Sequence, residues 1–285
     1  MDVVLRSAEP RDSRPAGEIC YEAFKSIAEH HAFPADFPEP GAAIALMEHL
    51  HARKDVFGVT AELDGRTVGT NFLWEDEDVA GIGPITIEPA MQNTRVGRRL
   101  MEAVLERARA QGILRVRLVQ AAYHSRSLSL YTKLGFEARE PLSVFQGPAL
   151  ASGIPGHQVR LAGPADIESA ESLCRRVNGH RRTGELRAAI DQKIAQVVER
   201  EGRITGYTTG VGFFGHTVGE GNSDVQALIA AAKTFDGPGF LVPTRNTALM
   251  RWCLERGLKI VQPMTLMTIG PYQEPCGAVL PSVLF

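Results

Sequence analysis

An internal repeat constrains this chain more than any other feature. Val4-Leu5-Arg6-Ser7-Ala8-Glu9-Pro10-Arg11-Asp12 can be laid over Gln158-Val159-Arg160-Leu161-Ala162-Gly163-Pro164-Ala165-Asp166. At a constant offset of 154, Arg6 meets Arg160, Ala8 meets Ala162, Pro10 meets Pro164, Asp12 meets Asp166 and Cys20 meets Cys174. Asp64-Gly65-Arg66-Thr67-Val68-Gly69 then matches Glu201-Gly202-Arg203-Ile204-Thr205-Gly206 at an offset of 137, so the second copy is 17 residues shorter between these points. Finally, Leu130 to Phe136 lies over Trp252 to Leu258. A period of roughly 140 residues means two domain-sized units, because solenoid repeats run to only about 20–50 residues. Pro148 to Gly156 is rich in Pro, Gly, Ala and Ser without periodicity. It reads as a linker (148–156) between a first domain at 1–147 and a second at 157–285.

The first copy alternates strands and helices, which predicts a mixed α/β fold with a mixed sheet. Val3 to Ala8 alternates like a strand, and Asp12 or Ser13 caps a helix carrying Ile19, Cys20, Tyr21, Phe24 and Ile27 at helical spacing. Three prolines, Pro34, Pro38 and Pro40, force a loop before a helix over Gly41 to His51. Val56 to Leu63 and Thr67 to Trp74 are strands, with Asp64-Gly65 as their hairpin turn. The acidic run Glu75 to Asp78 reads as a solvated loop. Ala80 to Ile87 is a fourth strand, and Ala138 to Gln146 a closing strand interrupted by Pro141. In the second copy the corresponding strand is Gly212 to Gly219. A helix over Asp224 to Phe235, a strand at Phe240 to Val242 and a helix over Thr247 to Arg256 follow.

Composition narrows the class. Hydrophobic residues make up 44% and charged residues 22%, with a net charge of -2, so nothing favours nucleic-acid or membrane binding. No apolar stretch approaches the roughly 20 residues that span a bilayer. Met1-Asp2-Val3-Val4-Leu5-Arg6 lacks the pattern of a signal peptide, so the expectation is a cytoplasmic protein. Cys20, Cys174, Cys253 and Cys276 form no Cys-x-x-Cys pair and are expected as reduced thiols. His30-His31, His49 and His51 lack a matching ligand pattern, so no metal is expected.

The chemistry concentrates between Ile85 and Phe136. The apolar run Ile85-Thr86-Ile87-Glu88-Pro89 leads into the polar loop Gln92-Asn93-Thr94-Arg95-Val96-Gly97-Arg98. A helix pattern from Arg99 to Ala110, an apolar run from Leu114 to Gln120 and Leu130-Tyr131-Thr132-Lys133-Leu134-Gly135-Phe136 follow. A loop opening directly into a helix presents N–H groups and a dipole that suit a pyrophosphate. Gly97 permits close backbone approach, and Arg95, Arg98 and Arg99 add charge that matches phosphate oxygens.

Gln92-x-x-Arg95-Val96-Gly97 resembles the Gln/Arg-x-x-Gly-x-Gly/Ala signature of the GNAT superfamily of N-acetyltransferases. Leu130 to Phe136 fits that family's Leu-Tyr-x-Lys-x-Gly-Phe helix end. The resemblance covers most of residues 1–147 and is weaker over 157–285, which implies two tandem GNAT-like domains, the second degenerate. It implies acetyl-CoA as acyl donor substrate and a small-molecule or peptide amine as acceptor. The acceptor amine would attack the thioester directly. By position, backbone groups of Ile85, Thr86 and Ile87 would pair with the pantetheine arm. Gln92, Arg95, Val96, Gly97 and Arg98 would belong to the pyrophosphate loop. Tyr131 would protonate the leaving thiolate as general acid. Ser125 stands near where the family usually has an Asn at the start of the tyrosine helix, and Arg95 stands where it has its first glycine.

Several points stay open from sequence. Glu22, His30 and His31 lie in or near the proline loop that, by resemblance, covers the acceptor pocket; the general base is not fixed among them. The second copy has Glu220-Gly221-Asn222-Ser223-Asp224 in place of the basic loop and Cys253 at the Tyr131 position, although Asn246 resembles the family's helix-start Asn. This assigns the activity to the first copy. A non-catalytic CoA-binding or sensor module is the alternative reading, and an interaction protein with the cofactor gap filled by side chains is a third. The acceptor's identity, the acyl length and a homodimer are all left open.

Overall fold

The computed structural model describes residues 3–75, 78–150 and 152–284. The expected Asp76 of the acidic loop lies outside the described residues. The first copy comprises β1 (Val4–Ser7), α1 (Ser13–His30), α2 (Pro40–Ala52), β2 (Val56–Leu63), β3 (Arg66–Trp74), β4 (Ala80–Ile82), β5 (Thr86–Ile87), α3 (Val96–Ala110), β6 (Val116–Ala121), α4 (Ser125–Lys133) and β7 (Glu137–Gln146). The second comprises β8 (Gln158–Leu161), α5 (Ile167–Asn178), α6 (Thr183–Asp191), β9 (Gln196–Arg200), β10 (Arg203–Thr208), β11 (Thr217–Gly219), α7 (Asn222–Ala231), β12 (Phe240–Pro243), α8 (Thr247–Glu255), β13 (Lys259–Ile269) and β14 (Ala278–Leu280). This is the mixed α/β fold that the alternating pattern predicts.

The repeat is visible as a duplicated ionic clasp. Arg6 donates to both carboxylate oxygens of Asp12 at 2.7 and 2.8 Å and to Glu62 at 2.7 Å. Arg160 does the same with Asp166 at 2.7 and 2.8 Å and with Glu199 at 2.9 Å. In each copy the aspartate also accepts a 2.8 Å bond from the backbone three residues earlier, at Glu9 and at Gly163. Burial alone would raise the Asp12 pKa, but Arg6 and the Glu9 N–H hold it down at about 2. Both hairpin turns use the same left-handed pair, Asp64-Gly65 (φ 50 and 77) and Glu201-Gly202 (φ 53 and 75).

The sheets do not follow the linker. The larger sheet runs β1-β2-β3-β4-β6-β13-β7-β12, with β5 paired to β3 off this path, and the smaller runs β14-β11-β10-β9-β8. β13, from the second copy, is inserted between two strands of the first. It pairs antiparallel with β6 from Ile269↔Val116 to Met264↔Ala121. Its other edge pairs with β7. β7 in turn carries β12 of the second copy on its outer edge. The cores interlock in the same way. Met267 of β13 packs among Leu100, Val116 and Phe136 of the first copy, and Phe145 of β7 among Leu228, Phe240 and Leu249 of the second.

Two prolines sit inside these strands. Pro141 lies within a continuous β7, where its carbonyl accepts from Thr244 N–H at 2.8 Å just beyond the end of β12. Its missing donor therefore faces a ladder that has already stopped, which is where a strand tolerates proline. Pro263 sits one residue beyond the β6 ladder, for the same reason.

The expected fourth strand is split. β4 ends at Ile82 and β5 begins at Thr86, with Gly83-Pro84 between them. β4 meets β6 in parallel only at Ala80↔Val116 and Gly81↔Arg117. Beyond that point the two strands part.

The acidic loop is more engaged than a solvated run. Arg107 donates to Glu75 at 2.5 and 3.0 Å, and Arg181 of the second copy donates to Asp78 at 3.1 Å. Among the described residues no helix is long and apolar enough to cross a membrane.

Met267 tests whether β13 belongs to the core of the first copy. Met267→Ala, at a side chain only 1% exposed, should cost the full chain about 2–5 kcal/mol in denaturant unfolding.

Candidate active site

Where β4 and β6 part, a cavity of about 540 Å³ opens between Ile82–Ile87 on one side and Leu118–Ala121 on the other. Of the residues expected at the site, Ile85, Thr86, Ile87, Gln92, Arg95, Gly97, Arg98 and Tyr131 line it. Val96 and Ser125 do not. Val96 points into the core beside Leu100, and Ser125 is exposed on the first turn of α4.

One wall is a strand edge. β5 pairs with β3 through Gly69↔Ile87 and Thr70↔Thr86, and it has no strand partner on its other side among the described residues. Backbone groups there are available to an extended ligand.

The mouth is cationic. α3 begins at Val96, and its first-turn N–H groups have no helical acceptor. Asn93 and Arg95 both take left-handed backbone (φ 68 each), which curls the loop ahead of the helix. Arg95 thus adopts the conformation for which glycine is suited, at the position where the family signature has one. Gly97 lies against β5: a Cβ there would come within 2.7 Å of Ile87 Cδ1. Arg95, Arg98 and Arg126 all line the cavity. Arg98 donates to Glu102 at 2.8 Å, and Arg126 donates to Gln92 Oε1 at 2.7 Å. The Gln92 side chain is therefore held by Arg126, a residue that no motif flagged.

Tyr131 is only 7% exposed, on the buried face of α4, with its ring edge-on to Phe136 at 6.1 Å. Burial raises its pKa, so the phenol stays protonated at neutral pH.

The opposite character appears where α1 and α2 connect. Asp36, between Pro34 and Pro38, lines the cavity and is its one carboxylate among the described lining residues. Burial raises its pKa to about 6, while the nearby Gln262 side chain opposes the shift. Tyr123 beside it is raised to about 12 by burial and by the Asp36 charge. Glu22, His30 and His31 are exposed and do not line the cavity. His31 packs instead against the Tyr123 ring at 5.1 Å. Sequence marked this segment as a loop; its proline content carries no signal of which side chain turns inward.

The second copy contributes Phe213, Phe214, Gln262, Met264, Val283 and Leu284 to the same cavity. Its own equivalent site is closed. At the start of α7 the fully buried Asp224 accepts from Gly221 N–H at 2.9 Å and from Thr205 at 2.5 Å. The helix terminus is thus occupied by its own carboxylate. Cys253 is buried in the core, and Asn246 caps α8 through a 3.2 Å bond from Leu249 N–H.

Residues 21–136 match the model of the Acetyltransferase (GNAT) family. An IAA acetyltransferase of Azospirillum brasilense is 30% identical over 100 residues; the match covers 34% of this chain and 64% of that protein's length. Over nearly the whole chain, a solved Pyrococcus horikoshii protein assigned as an acetyltransferase superposes with a TM-score of 0.75 at 17% identity, covering 96% of this chain and 91% of that one. A tandem GNAT protein from the clavulanic acid biosynthesis pathway superposes with a TM-score of 0.57 at 13% identity, covering 95% and 100%. Residues 21–136 therefore resemble a GNAT domain, and the full length shares its fold with a tandem GNAT protein.

Two stability measurements probe the site. Arg95→Gly should raise stability by about 0.5–1 kcal/mol in denaturant unfolding, because it relieves a left-handed side-chain position. Asp36 makes stability depend on pH. Its folded pKa lies above the unfolded value, so the charged form is disfavoured in the fold, and this penalty is absent below about pH 4 and complete above about pH 6. Asp36→Asn should therefore gain stability relative to wild type as pH rises through that window, followed by thermal unfolding.

Proposed function

We propose that the chain is an acyl-CoA-dependent N-acyltransferase, with acetyl-CoA bound in the cavity of the first copy and a primary amine as acceptor. The observation that carries this reading is the open gap between β5 and β6, with the free start of α3 at its mouth and a buried phenol in its wall. A gap filled by side chains would have favoured a protein that binds no CoA.

In this reading the pantetheine arm runs along the free edge of β5. The pyrophosphate meets the first-turn N–H groups of α3, with Arg95, Arg98 and Arg126 around it. The thioester then lies toward Tyr131. The amine attacks the thioester carbonyl, the C–S bond breaks, and Tyr131 gives its proton to the thiolate. Burial keeps the phenol protonated at neutral pH, and the same desolvation makes a thiolate released beside it more basic. The second copy acts as a structural partner, supplying β13 and part of the cavity wall.

Calorimetric titration with acetyl-CoA, followed by thiol release with a panel of amines, tests the reading. Wild type should bind acetyl-CoA at micromolar to millimolar concentration and release CoA. Tyr131→Phe should leave binding within a few-fold of wild type and lower kcat by about 10²–10⁴-fold. Absence of binding at millimolar acetyl-CoA would overturn the proposal. Binding without CoA release from any amine would point to the sensor alternative.

A further inference from the structure

We propose that the part of the cavity shared with the second copy is a subsite for a primary amine with a compact apolar or aromatic body, and that Asp36 receives its ammonium group. This rests on the reading of the cavity as an acyl-CoA site and names the acceptor class that it takes.

The lining divides by chemistry. Arg95, Arg98, Arg126 and Lys133 stand with α3 and α4, where no acidic residue lines the cavity among the described residues. Asp36 stands with Phe24, Phe37, Phe213, Phe214, Met264 and Leu284. The rings form a continuous group. Phe24 lies 6.1 Å from Phe37, Phe37 lies 6.3 Å from Phe214, and Phe214 lies 5.6 Å from Phe213. Two of these rings come from each copy, so the tandem arrangement builds this wall.

Such a wall selects against strongly hydrated acceptors. Against the rings themselves, the hydroxyl of an amino alcohol or the further ammonium groups of a polyamine would lose water without gaining a partner. An apolar body gains with each methylene that leaves water for these rings. Its ammonium still needs a counter-charge, and Asp36 is the carboxylate positioned to supply it. Gln262, on β13, lines the same cavity, and its side chain opposes the burial penalty on that carboxyl. The burial that keeps Asp36 from ionising fully in the empty pocket also makes it a base matched to neutral pH.

The proton count closes. The acceptor nitrogen enters as an ammonium and leaves as an amide, losing two protons. One passes to the Asp36 carboxylate and out to solvent. The other leaves the nitrogen as the N–C bond forms and, through solvent, restores to the Tyr131 phenol the proton that it gives to sulfur as the C–S bond breaks. The products are the N-acyl amine and CoA thiol.

The experiment compares 2-phenylethylamine and n-hexylamine with ethanolamine and spermidine as acceptors, with acetyl-CoA binding measured separately by calorimetry. Wild type should favour the two apolar amines by about 10–100-fold in kcat/KM. Asp36→Asn should lower kcat/KM for 2-phenylethylamine by about 10²–10⁴-fold while leaving the acetyl-CoA Kd unchanged, which also reports that the variant is folded. Phe214→Ala, a second variant that keeps the carboxylate, should raise KM for 2-phenylethylamine more than for ethanolamine. If acetyl-CoA binds but the polar amines are used equally well, no amine in the panel is used, or Asp36→Asn turns over like wild type, the subsite is overturned and acetyl-CoA binding stands. If wild type binds no acetyl-CoA, the acyltransferase reading and the subsite fall together.

Discussion

The architecture depends on what holds β6 after it leaves β4. Two parallel residue pairs join these strands, and then the backbone of the first copy turns away at Gly83-Pro84. A strand parted from its neighbour would have an unpaired edge and no fixed direction. Six antiparallel pairs with β13 on the other side keep β6 straight. The gap can therefore stay open: the strand forming one of its walls is anchored from behind. Opening a ligand cavity in a sheet and borrowing a strand from the second copy are two sides of one arrangement.

The two copies show which features serve the fold and which serve chemistry. The Arg-Asp-Glu clasp and the left-handed hairpin turn are kept in both, because each fixes where a strand enters the sheet and a helix begins. The helix start differs. In the first copy it faces a cavity with arginines around it; in the second, Asp224 lies against the same kind of N–H groups at no exposure. A buried carboxylate in that place satisfies the helix dipole internally and leaves no room for an external anion. The second copy has become more self-contained at the position where the first is left unsatisfied.

Much of this was legible in the sequence because it rests on local rules. Turn residues, helical stripes and the tyrosine segment each carry their own backbone preference, and the elements follow them closely. The fourth strand was placed but not its break, since Gly83-Pro84 interrupts a run that is apolar on both sides. β13 was not legible at all. Pro263 reads as a strand breaker, and only the position of the β6 ladder shows why it is tolerated. Asp36 was hidden for a related reason. A proline-rich loop announces that it is a loop, but not which of its carboxylates, Asp36 or Glu39, turns toward a cavity walled in part by the other copy. Both misses are contacts between distant parts of the chain.

The insertion of β13 also sets an order of assembly. Synthesis proceeds from the N-terminus, and the strand that completes the first sheet emerges long after β6 and β7. At about 5–20 residues per second, the delay between β6 and β13 is on the order of ten seconds. During that time β6 and β7 present edges to each other and to the surroundings without the strand that separates them in the finished sheet. Direct pairing of these two neighbours would exclude β13, together with Gln262 and Met264 from the cavity wall. A nascent chain of this design must either leave that slot vacant or reopen it before the finished sheet can form.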